Sequence, residues 1–212
     1  MSSDLGFIHR FVPAAEADRP ITLLALHGTG GNEQDLIPLA ESLLPGAAIL
    51  SPRGKVLERG MPRFFRRLAE GVFDIPDLKF RTHELADFID AARREYQFNG
   101  NIIAVGYSNG ANIAASLMLL HPRALAGAVL FRVIAPFVPD LAPDLSGTQA
   151  LLAGGRHDRI VPQIGTLKLS DILQSAGAEV SLHWHDGGHE LGQDDIEAAQ
   201  RWMAGLRDTS KR

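Results

Sequence analysis

One short segment restricts the fold of this 212-residue chain more than any other. The pentapeptide Gly-Tyr-Ser-Asn-Gly at residues 106–110 separates an apolar, β-like run at 102–105 from a helix-like run at 111–120. A Gly-x-Ser-x-Gly turn between a strand and a helix is tight, and it strains the serine backbone while exposing its hydroxyl. Glycine is required on both sides because a Cβ there would strike the neighbouring strand or helix. The segment therefore predicts a sharp strand-to-helix turn with Ser108 at its tip.

Strand-like and helix-like segments alternate along the whole chain. Strands are expected at residues 7–12, 21–26, 47–50, 102–105, 126–131, 149–153 and 179–184, and helices at 33–44, 82–98, 111–120, 161–176 and 193–206. Residues 21–26 are continuously apolar, which is typical of a strand covered on both faces. Thr82 is expected to be the N-cap of its helix. This order predicts a doubly wound, mostly parallel α/β sheet of about seven strands in one domain, 1–212, with a frayed tail at 207–212.

Composition narrows the classes of function. The net charge of −4 gives no reason to expect a nucleic acid partner, and the absence of cysteine excludes thiolate chemistry and zinc–thiolate sites. No apolar stretch approaches the length of a membrane span, and residues 1–13 lack the apolar core of a secretory signal. The expectation is therefore a cytoplasmic protein with neither a nucleic acid partner nor a membrane span.

Three predicted loops that follow strands carry reactive side chains. Ser108 lies in the strand-to-helix turn, Asp158 follows the strand at 149–153, and His189 follows the strand at 179–184. Ligands bind beyond the carboxyl ends of the strands in sheets of this kind, so the three loops are expected to meet. The chain order Ser, Asp, His is the order of the α/β-hydrolase arrangement, in which histidine activates serine and the carboxylate orients histidine.

Taken together, the motifs resemble one family. HGTGGN at 27–32, GYSNG at 106–110, GRHDRIVP at 155–162 and GGH at 187–189 are similar to motifs of the phospholipase/carboxylesterase family of α/β-hydrolases. That family includes acyl-protein thioesterases and relatives of dienelactone hydrolase. The resemblance implies Ser108, Asp158 and His189 as nucleophile, acid and base, with Thr29 and Asn109 at the oxyanion-hole positions. It implies a cofactor-independent serine hydrolase that cleaves small to medium carboxylic or thio esters through an acyl-enzyme.

The chain also departs from part of that family. The thioesterase branch usually has aspartate at the position of Gly31 and glutamine at the position of Asn109. The segment Arg-Phe-Phe-Arg-Arg at 63–67 looks more like a bacterial branch linked to small aromatic or quinone-derived compounds. These differences argue against lipidated proteins as substrates. The resemblance makes a small-molecule ester the expected partner and a homodimer the expected assembly.

The residues at 53–67 are expected to border the site, because they follow the strand at 47–50. The segment is strongly basic, and Glu58 is its single acid. Two interpretations stay open: a solvated basic surface, or an arginine such as Arg63 that attracts a substrate carboxylate. The segment is too short to form a separate lid domain.

Aromatic side chains and one histidine are the other candidates for contact with substrate. Phe64, Phe65, Phe73 and Phe137 either line a pocket or pack in the core. His27 is expected to shape the oxyanion loop rather than to transfer protons.

Two other classes of function remain open at this level. His183 and His185 share one face of a strand, with His189 nearby, which resembles part of a zinc site. That interpretation lacks a second ligand cluster and leaves the serine turn unexplained, so neither a metal nor another cofactor is expected. A non-catalytic, ligand-binding member of the fold is the second alternative, because fold alone does not fix function. The presence of all three residues of the triad argues against it.

Overall fold

The computed structural model describes residues 5–15 and 21–209. Its strands are β1 (His9–Val12), β2 (Ile21–Leu26), β3 (Ala48–Pro52), β4 (Val56–Glu58), β5 (Met61–Arg63), β6 (Arg67–Ala69), β7 (Val72–Phe73), β8 (Asn101–Tyr107), β9 (Gly127–Phe131), β10 (Gln149–Gly155) and β11 (Glu179–His185). Its helices are α1 (Ile37–Leu43), α2 (Ile75–Tyr96), α3 (Asn109–Leu120), α4 (Gln163–Ser175) and α5 (Gln193–Thr209). Apart from the short strands β4 to β7, the order of strands and helices is the one that the sequence predicts, with a helix after every strand of the central sheet except β1 and β9.

Seven of these strands form the central sheet, in the spatial order β1-β3-β2-β8-β9-β10-β11. The pair β1 and β3 is antiparallel, and the other neighbouring pairs are parallel. From β2 the chain first goes to β3 on one side and then returns to β8 on the other. The carboxyl ends of β2 and β8 therefore flank a crevice of the kind where ligands bind in such sheets. The predicted α/β-hydrolase fold is confirmed.

The sheet is covered by apolar side chains on both faces. Along β2, Leu24 and Leu26 belong to one buried cluster, while Leu23 and Ala25 belong to a second cluster on the opposite face. Successive side chains of a strand point to opposite faces, so a continuous apolar run supplies both layers. Each fully buried leucine contributes about 1.5–3 kcal/mol through removal of its side chain from water. This double burial fixes the strand ends on which the site is built.

Two helices begin at places that the sequence analysis did not predict. Helix α2 starts at Ile75, and the side chain of Asp74 caps it by accepting a hydrogen bond from the Asp77 N–H at 3.1 Å. Thr82, the predicted N-cap, lies inside the helix, and its hydroxyl donates to the Leu78 carbonyl at 2.7 Å. Helix α1 starts at Ile37 rather than at residue 33. In the described ranges, no helix combines the length and the apolar character needed to cross a membrane.

Several element ends also differ from the prediction. Strand β10 continues through Gly155, and β11 continues through His185, because paired neighbours extend the ladder beyond the apolar run. Helix α5 extends through Thr209, three residues beyond its predicted end at residue 206, and the fraying predicted for residues 207–212 stays a prediction. Residues 210–212 of that predicted tail lie outside the described residues.

The basic segment folds into two small hairpins between β3 and α2. Strands β4 and β5 form one antiparallel pair, and β6 and β7 form the other. We call residues 56–73 the hairpin segment. The Pro62 carbonyl accepts a hydrogen bond from the Gly30 N–H at 2.9 Å, which joins the first hairpin to the glycine-rich loop after β2. The hairpin segment therefore lies against the crevice at the end of the sheet.

Candidate active site

Ser108 occupies the predicted strained turn between β8 and α3. Its backbone angles are φ 51° and ψ −109°, outside the regions that non-glycine residues ordinarily adopt. A Cβ on Gly106 would lie 2.7 Å from the Ala111 Cα, and a Cβ on Gly110 would overlap the Leu26 carbonyl oxygen. The close approach of β2, β8 and α3 therefore requires glycine on both sides of the serine.

The structure brings Ser108, His189 and Asp158 together. The Ser108 Oγ lies 3.0 Å from the His189 Nε2, and the His189 Nδ1 lies 2.8 Å from the Asp158 Oδ2. The other carboxylate oxygen of Asp158 accepts hydrogen bonds from the Ile160 and Val161 N–H groups, at 2.8 and 2.9 Å. Those two bonds hold the carboxylate plane while leaving Oδ2 for the imidazole. The arrangement can transfer a proton from the hydroxyl to the imidazole.

Thr29 and Asn109 lie in the wall of the cavity next to the serine. Asn109 is the first residue of α3, where the backbone N–H groups of a helix lack partners within the helix. The Asn109 side-chain oxygen accepts a hydrogen bond from the Phe64 N–H at 2.7 Å, and the Thr29 hydroxyl accepts one from Arg63 at 2.6 Å. Each residue is therefore held by a contact from the basic segment, in the cavity wall that Ser108 also lines.

A small cavity of about 40 Å³ opens beside Ser108. Its lining combines polar and apolar residues. The polar residues are Thr29, Arg63, Arg67, Asn109 and Asn112, and the apolar residues are Phe73, Ile134, Ile160 and Val161. The hairpin segment supplies residues of both kinds, so its side chains help to define the space next to the Ser108 hydroxyl.

His27 does not contact this cavity. It is 1% exposed, its Nδ1 donates to the Gly28 carbonyl at 2.6 Å, and its Nε2 accepts from the Gly54 N–H at 3.0 Å. Burial lowers the pKa of the His27 imidazole, which favours the neutral ring that these two bonds need. The expected role in shaping the glycine-rich loop fits this geometry, whereas assignment of His27 to the substrate pocket is wrong because both ring nitrogens are occupied.

Three of the phenylalanines predicted at the substrate pocket are placed elsewhere. Phe64 and Phe65 are 2% and 0% exposed and belong to the hydrophobic core. Phe137 packs against the same core, and the Lys79 ammonium lies 5.1 Å from its ring centroid. These three assignments are corrected, because apolar packing accounts for each ring. Phe73 lies in the cavity wall. Its ring packs edge-to-face against the Phe65 ring, with the two ring centroids 5.0 Å apart.

Acidic partners lie beside most of the basic side chains of the 53–67 segment. Arg53 forms a bidentate ion pair with Glu33, in which its Nε and one terminal nitrogen donate to the two carboxylate oxygens at 2.6 and 2.9 Å. The Glu58 carboxylate forms ion pairs with both Arg67 and Arg63, at nitrogen–oxygen distances of 2.9 and 3.3 Å. Burial and, after it, the neighbouring Arg67 guanidinium lower the pKa of Arg63. A wholly solvated basic surface is therefore wrong for this segment, and Arg63 and Arg67, both paired with Glu58, line the cavity.

Sequence reasoning missed Arg132, the largest fully buried side chain of the described residues. Its guanidinium contacts the loop that carries His189 and forms an ion pair with Asp195 at 2.6 Å. Tyr107 also contacts this loop, because its hydroxyl donates to the His189 carbonyl at 3.0 Å. A charged residue that directly follows the apolar run at 126–131 is the signal that could have identified Arg132, because a buried charge requires a partner.

The histidine cluster considered as a zinc site is arranged differently. His185, Asp194 and Asp195 place their ligand atoms within 4.8 Å of one another. However, an Arg132 nitrogen lies 2.6 Å from the His185 Nε2, so a guanidinium already supplies the positive charge there. His189 is directed to Ser108 instead of to this cluster. The arrangement favours an ion-pair network over a bound cation.

Comparison with known proteins places the chain among carboxylesterases. A family model described as phospholipase/carboxylesterase matches residues 9–206. The putative hydrolase MhqD of Bacillus subtilis (strain 168) is 49% identical over 181 residues, which cover 85% of this chain and 90% of that protein. The carboxylesterase of Bacillus cereus is 48% identical, with a TM-score of 0.89 over 92% of both chains. A carboxylesterase from Mesorhizobium loti is 32% identical, with a TM-score of 0.89 over 96% of this chain and 97% of that one.

Proposed function

Because the chain belongs to the phospholipase/carboxylesterase family of α/β-hydrolases and is an ester hydrolase, we propose that Ser108, His189 and Asp158 form its catalytic triad. One observation carries the proposal: the hydroxyl, the imidazole and the carboxylate are linked by distances of 3.0 and 2.8 Å at the ends of three strands. The family membership gives the type of reaction, and this geometry supports the proposed roles of the three residues.

Acylation begins when the Ser108 Oγ attacks the carbonyl carbon of the ester. The His189 Nε2 accepts the hydroxyl proton as the new C–O bond forms. Asp158 keeps the other ring proton on Nδ1 and stabilises the imidazolium that results. The tetrahedral intermediate then collapses, the bond to the leaving group breaks, and His189 donates its proton to the departing alcohol or thiol. Ser108 is left as an acyl ester.

Deacylation reverses these roles with water as the nucleophile. His189 removes a proton from the water molecule as its oxygen attacks the acyl carbon. The second tetrahedral intermediate expels the Ser108 oxygen, which takes back a proton from His189. The products are a carboxylic acid and the free enzyme, and the cycle requires no cofactor.

Thr29 and Asn109 are proposed to stabilise both tetrahedral intermediates. Their backbone N–H groups would donate to the carbonyl oxygen as it becomes negatively charged, and the partial positive charge at the start of α3 adds to this effect. Arg63 holds the Thr29 hydroxyl and the Phe64 N–H holds the Asn109 side chain. The donors are therefore fixed before the substrate arrives, and loss of one such donor typically costs about 10²–10³ in rate.

The lining of the cavity supports a substrate class. Its volume of about 40 Å³ favours a small group next to the scissile bond. Arg63 and Arg67 share one carboxylate, Glu58, which leaves an excess positive charge near the cavity. We therefore propose small acyl or aryl esters, with preference for those that carry an anionic substituent on this side.

The test is the Ser108→Ala variant, assayed with p-nitrophenyl acetate. Removal of the nucleophile should lower kcat by about 10⁶, which brings hydrolysis to the background rate. The far-ultraviolet circular dichroism spectrum should be unchanged, because the small residue fits the same turn. Ser181→Ala, on an exposed position of β11, is the matched control and should keep full activity. Hydrolysis by Ser108→Ala at the rate of the unaltered protein would overturn the proposal.

A further inference from the structure

Arg132 directly follows β9 and contacts the loop at 186–192, between β11 and α5. The side chain is fully buried, and the backbone φ of 56° lies in the left-handed region that residues other than glycine seldom adopt. Burial of a charge and adoption of this conformation both disfavour folding, so specific contacts must compensate for them. Those contacts are made with the residues on either side of His189.

The Arg132 guanidinium binds three successive backbone carbonyls of the loop. Its Nε lies 3.2 Å from the Gly188 oxygen and 3.1 Å from the His189 oxygen, and one terminal nitrogen lies 2.5 Å from the Glu190 oxygen. The donors of a guanidinium are fixed in one plane, so these bonds set the position and the orientation of the backbone. Tyr107 gives the His189 oxygen a second donor, at 3.0 Å.

Asp195 holds the guanidinium from the other side. Its buried carboxylate oxygens lie 3.2 and 2.6 Å from the two terminal nitrogens of Arg132. One of these oxygens also accepts a hydrogen bond from the Gly192 N–H at 2.8 Å. His185, at the end of β11, lies 2.6 Å from the same guanidinium. Both ends of the loop are therefore tied to one buried ion pair.

We infer that Arg132, held by Asp195, is a positioning residue for the catalytic histidine, an inference that rests on the proposed function. The loop at 186–192 has no helix or strand of its own. Without the guanidinium, the Tyr107 hydroxyl still donates to the His189 carbonyl and the His157 N–H to the Gly187 carbonyl, but the Gly188 and Glu190 carbonyls lose the donor that Arg132 gives them. The imidazole must meet Ser108 and Asp158 at the same time, and a displacement of about 1 Å costs about 10²-fold in rate. Arg132 touches no reacting atom and acts through the backbone.

The experiment separates positioning from stability by removal of the whole ion pair. In the double variant Arg132→Met/Asp195→Asn no charge is left unpaired, and replacement of buried ion pairs by uncharged residues is often neutral for stability. Arg132→Lys is the second variant, since an ammonium still compensates Asp195 but lacks the planar fork of donors. Arg201→Met is the control, because Arg201 is an exposed arginine on the same helix as Asp195.

Both variants should fold, with a melting temperature lowered by the loss of guanidinium hydrogen bonds to the loop carbonyls, and kcat for p-nitrophenyl acetate, measured well below that temperature, should fall by about 10²-fold. The value of KM should change little, because the cavity lining is intact. The low-field proton resonance of the His189–Asp158 hydrogen bond should broaden or disappear in NMR spectra of both variants. Arg201→Met should retain kcat and the resonance.

A kcat equal to that of the unaltered protein in either folded variant, with the low-field resonance retained, would overturn the inference. If the double variant does not fold, Arg132→Lys alone decides in the same way. If the proposed function itself were wrong, Ser108→Ala would stay active, and that result distinguishes this case from failure of the positioning role alone. An inactive Ser108→Ala together with fully active Arg132 variants rejects only the positioning role.

Discussion

The two sides of the candidate site are built in different ways. The rear wall consists of Asp158, His189 and Arg132, and hydrogen bonds join these side chains to the chain around them. The front wall is the hairpin segment, residues 56–73, whose two pairs of short strands lie outside the central sheet. Leu68 in the front wall is 73% exposed, although it is a large apolar residue.

This difference assigns chemistry and recognition to different parts of the chain. The rear wall residues follow β9, β10 and β11 of the seven-stranded sheet, of which β9 and β10 are buried and β11 is the partly exposed edge strand. An isolated two-stranded hairpin is only marginally stable, so the front wall depends on ion pairs, on its contact with the glycine-rich loop and on Phe64 and Phe65, which pack in the core. Changes in the rear wall should therefore alter kcat, whereas changes in the front wall should alter the choice of substrate.

Asp158→Asn should have the largest effect among changes that keep the nucleophile. The side-chain oxygen can still accept from Ile160 and Val161, so the loop keeps its shape. The amide cannot hold the useful tautomer of His189, and kcat should fall by about 10⁴. Steady-state hydrolysis of p-nitrophenyl acetate measures the change.

Asp186→Asn is the control for that prediction. Asp186 lies in the same loop as His189, and its side chain is 86% exposed and paired with Arg156 at 3.0 Å. Its removal should leave kcat unchanged. Equal losses of kcat in the two variants would contradict the assignment of Asp158 as the acid of the triad.

Arg67→Gln should produce a moderate change that is confined to selectivity. The ratio of kcat/KM for p-nitrophenyl hemisuccinate to kcat/KM for p-nitrophenyl butyrate should fall by about two- to fivefold, as expected for a partly exposed charge. The neutral butyrate ester should be hydrolysed at nearly the original rate. Arg59→Gln, in the turn of the first hairpin and exposed, changes the net charge equally and should leave the ratio unaltered. An unchanged ratio in Arg67→Gln would remove the proposed preference for anionic esters.

Leu68→Ala should have the smallest effect, and it tests the stability of the front wall. The free energy of unfolding should change by less than about 0.5 kcal/mol, because the side chain is mostly in water already. Leu130→Ala is the matched change in β9, where the leucine is fully buried, and should cost about 2–5 kcal/mol. Urea unfolding measures both values. Similar losses in the two variants would mean that the Leu68 side chain is packed against the protein in solution and not exposed.

The sequence predicted the proximity of Ser108, Asp158 and His189 better than the packing of the hairpin segment, for a physical reason. A strand buried on both faces needs a continuous apolar run, and such a run is visible in residues 21–26 without knowledge of its neighbours. Ser108, Asp158 and His189 each lie just after a predicted strand, and the parallel sheet brings those strand ends to one edge. The positions of the triad therefore follow from local patterns together with one rule of topology.

Other features depend on contacts between residues far apart in the chain. Arg132 and Asp195 are separated by 63 positions, and neither residue has a local pattern that indicates the other. Phe64 and Phe65 stand between arginines in the sequence. Their burial depends on how the hairpins pack against the core, and no local pattern indicates that packing. Thr82 had the residue type of an N-cap, but its hydroxyl bonds to a carbonyl within the helix, and Asp74 caps the helix instead.

Reaction of the protein with a fluorophosphonate, followed by mass spectrometry of the intact protein and its peptides, tests the central claim most directly. Only a serine activated by a neighbouring base reacts stoichiometrically with such a reagent. The account predicts one adduct per chain, on the peptide that contains Ser108, and no adduct in Ser108→Ala. An unlabelled protein, or an adduct on a different serine such as Ser181, would contradict it.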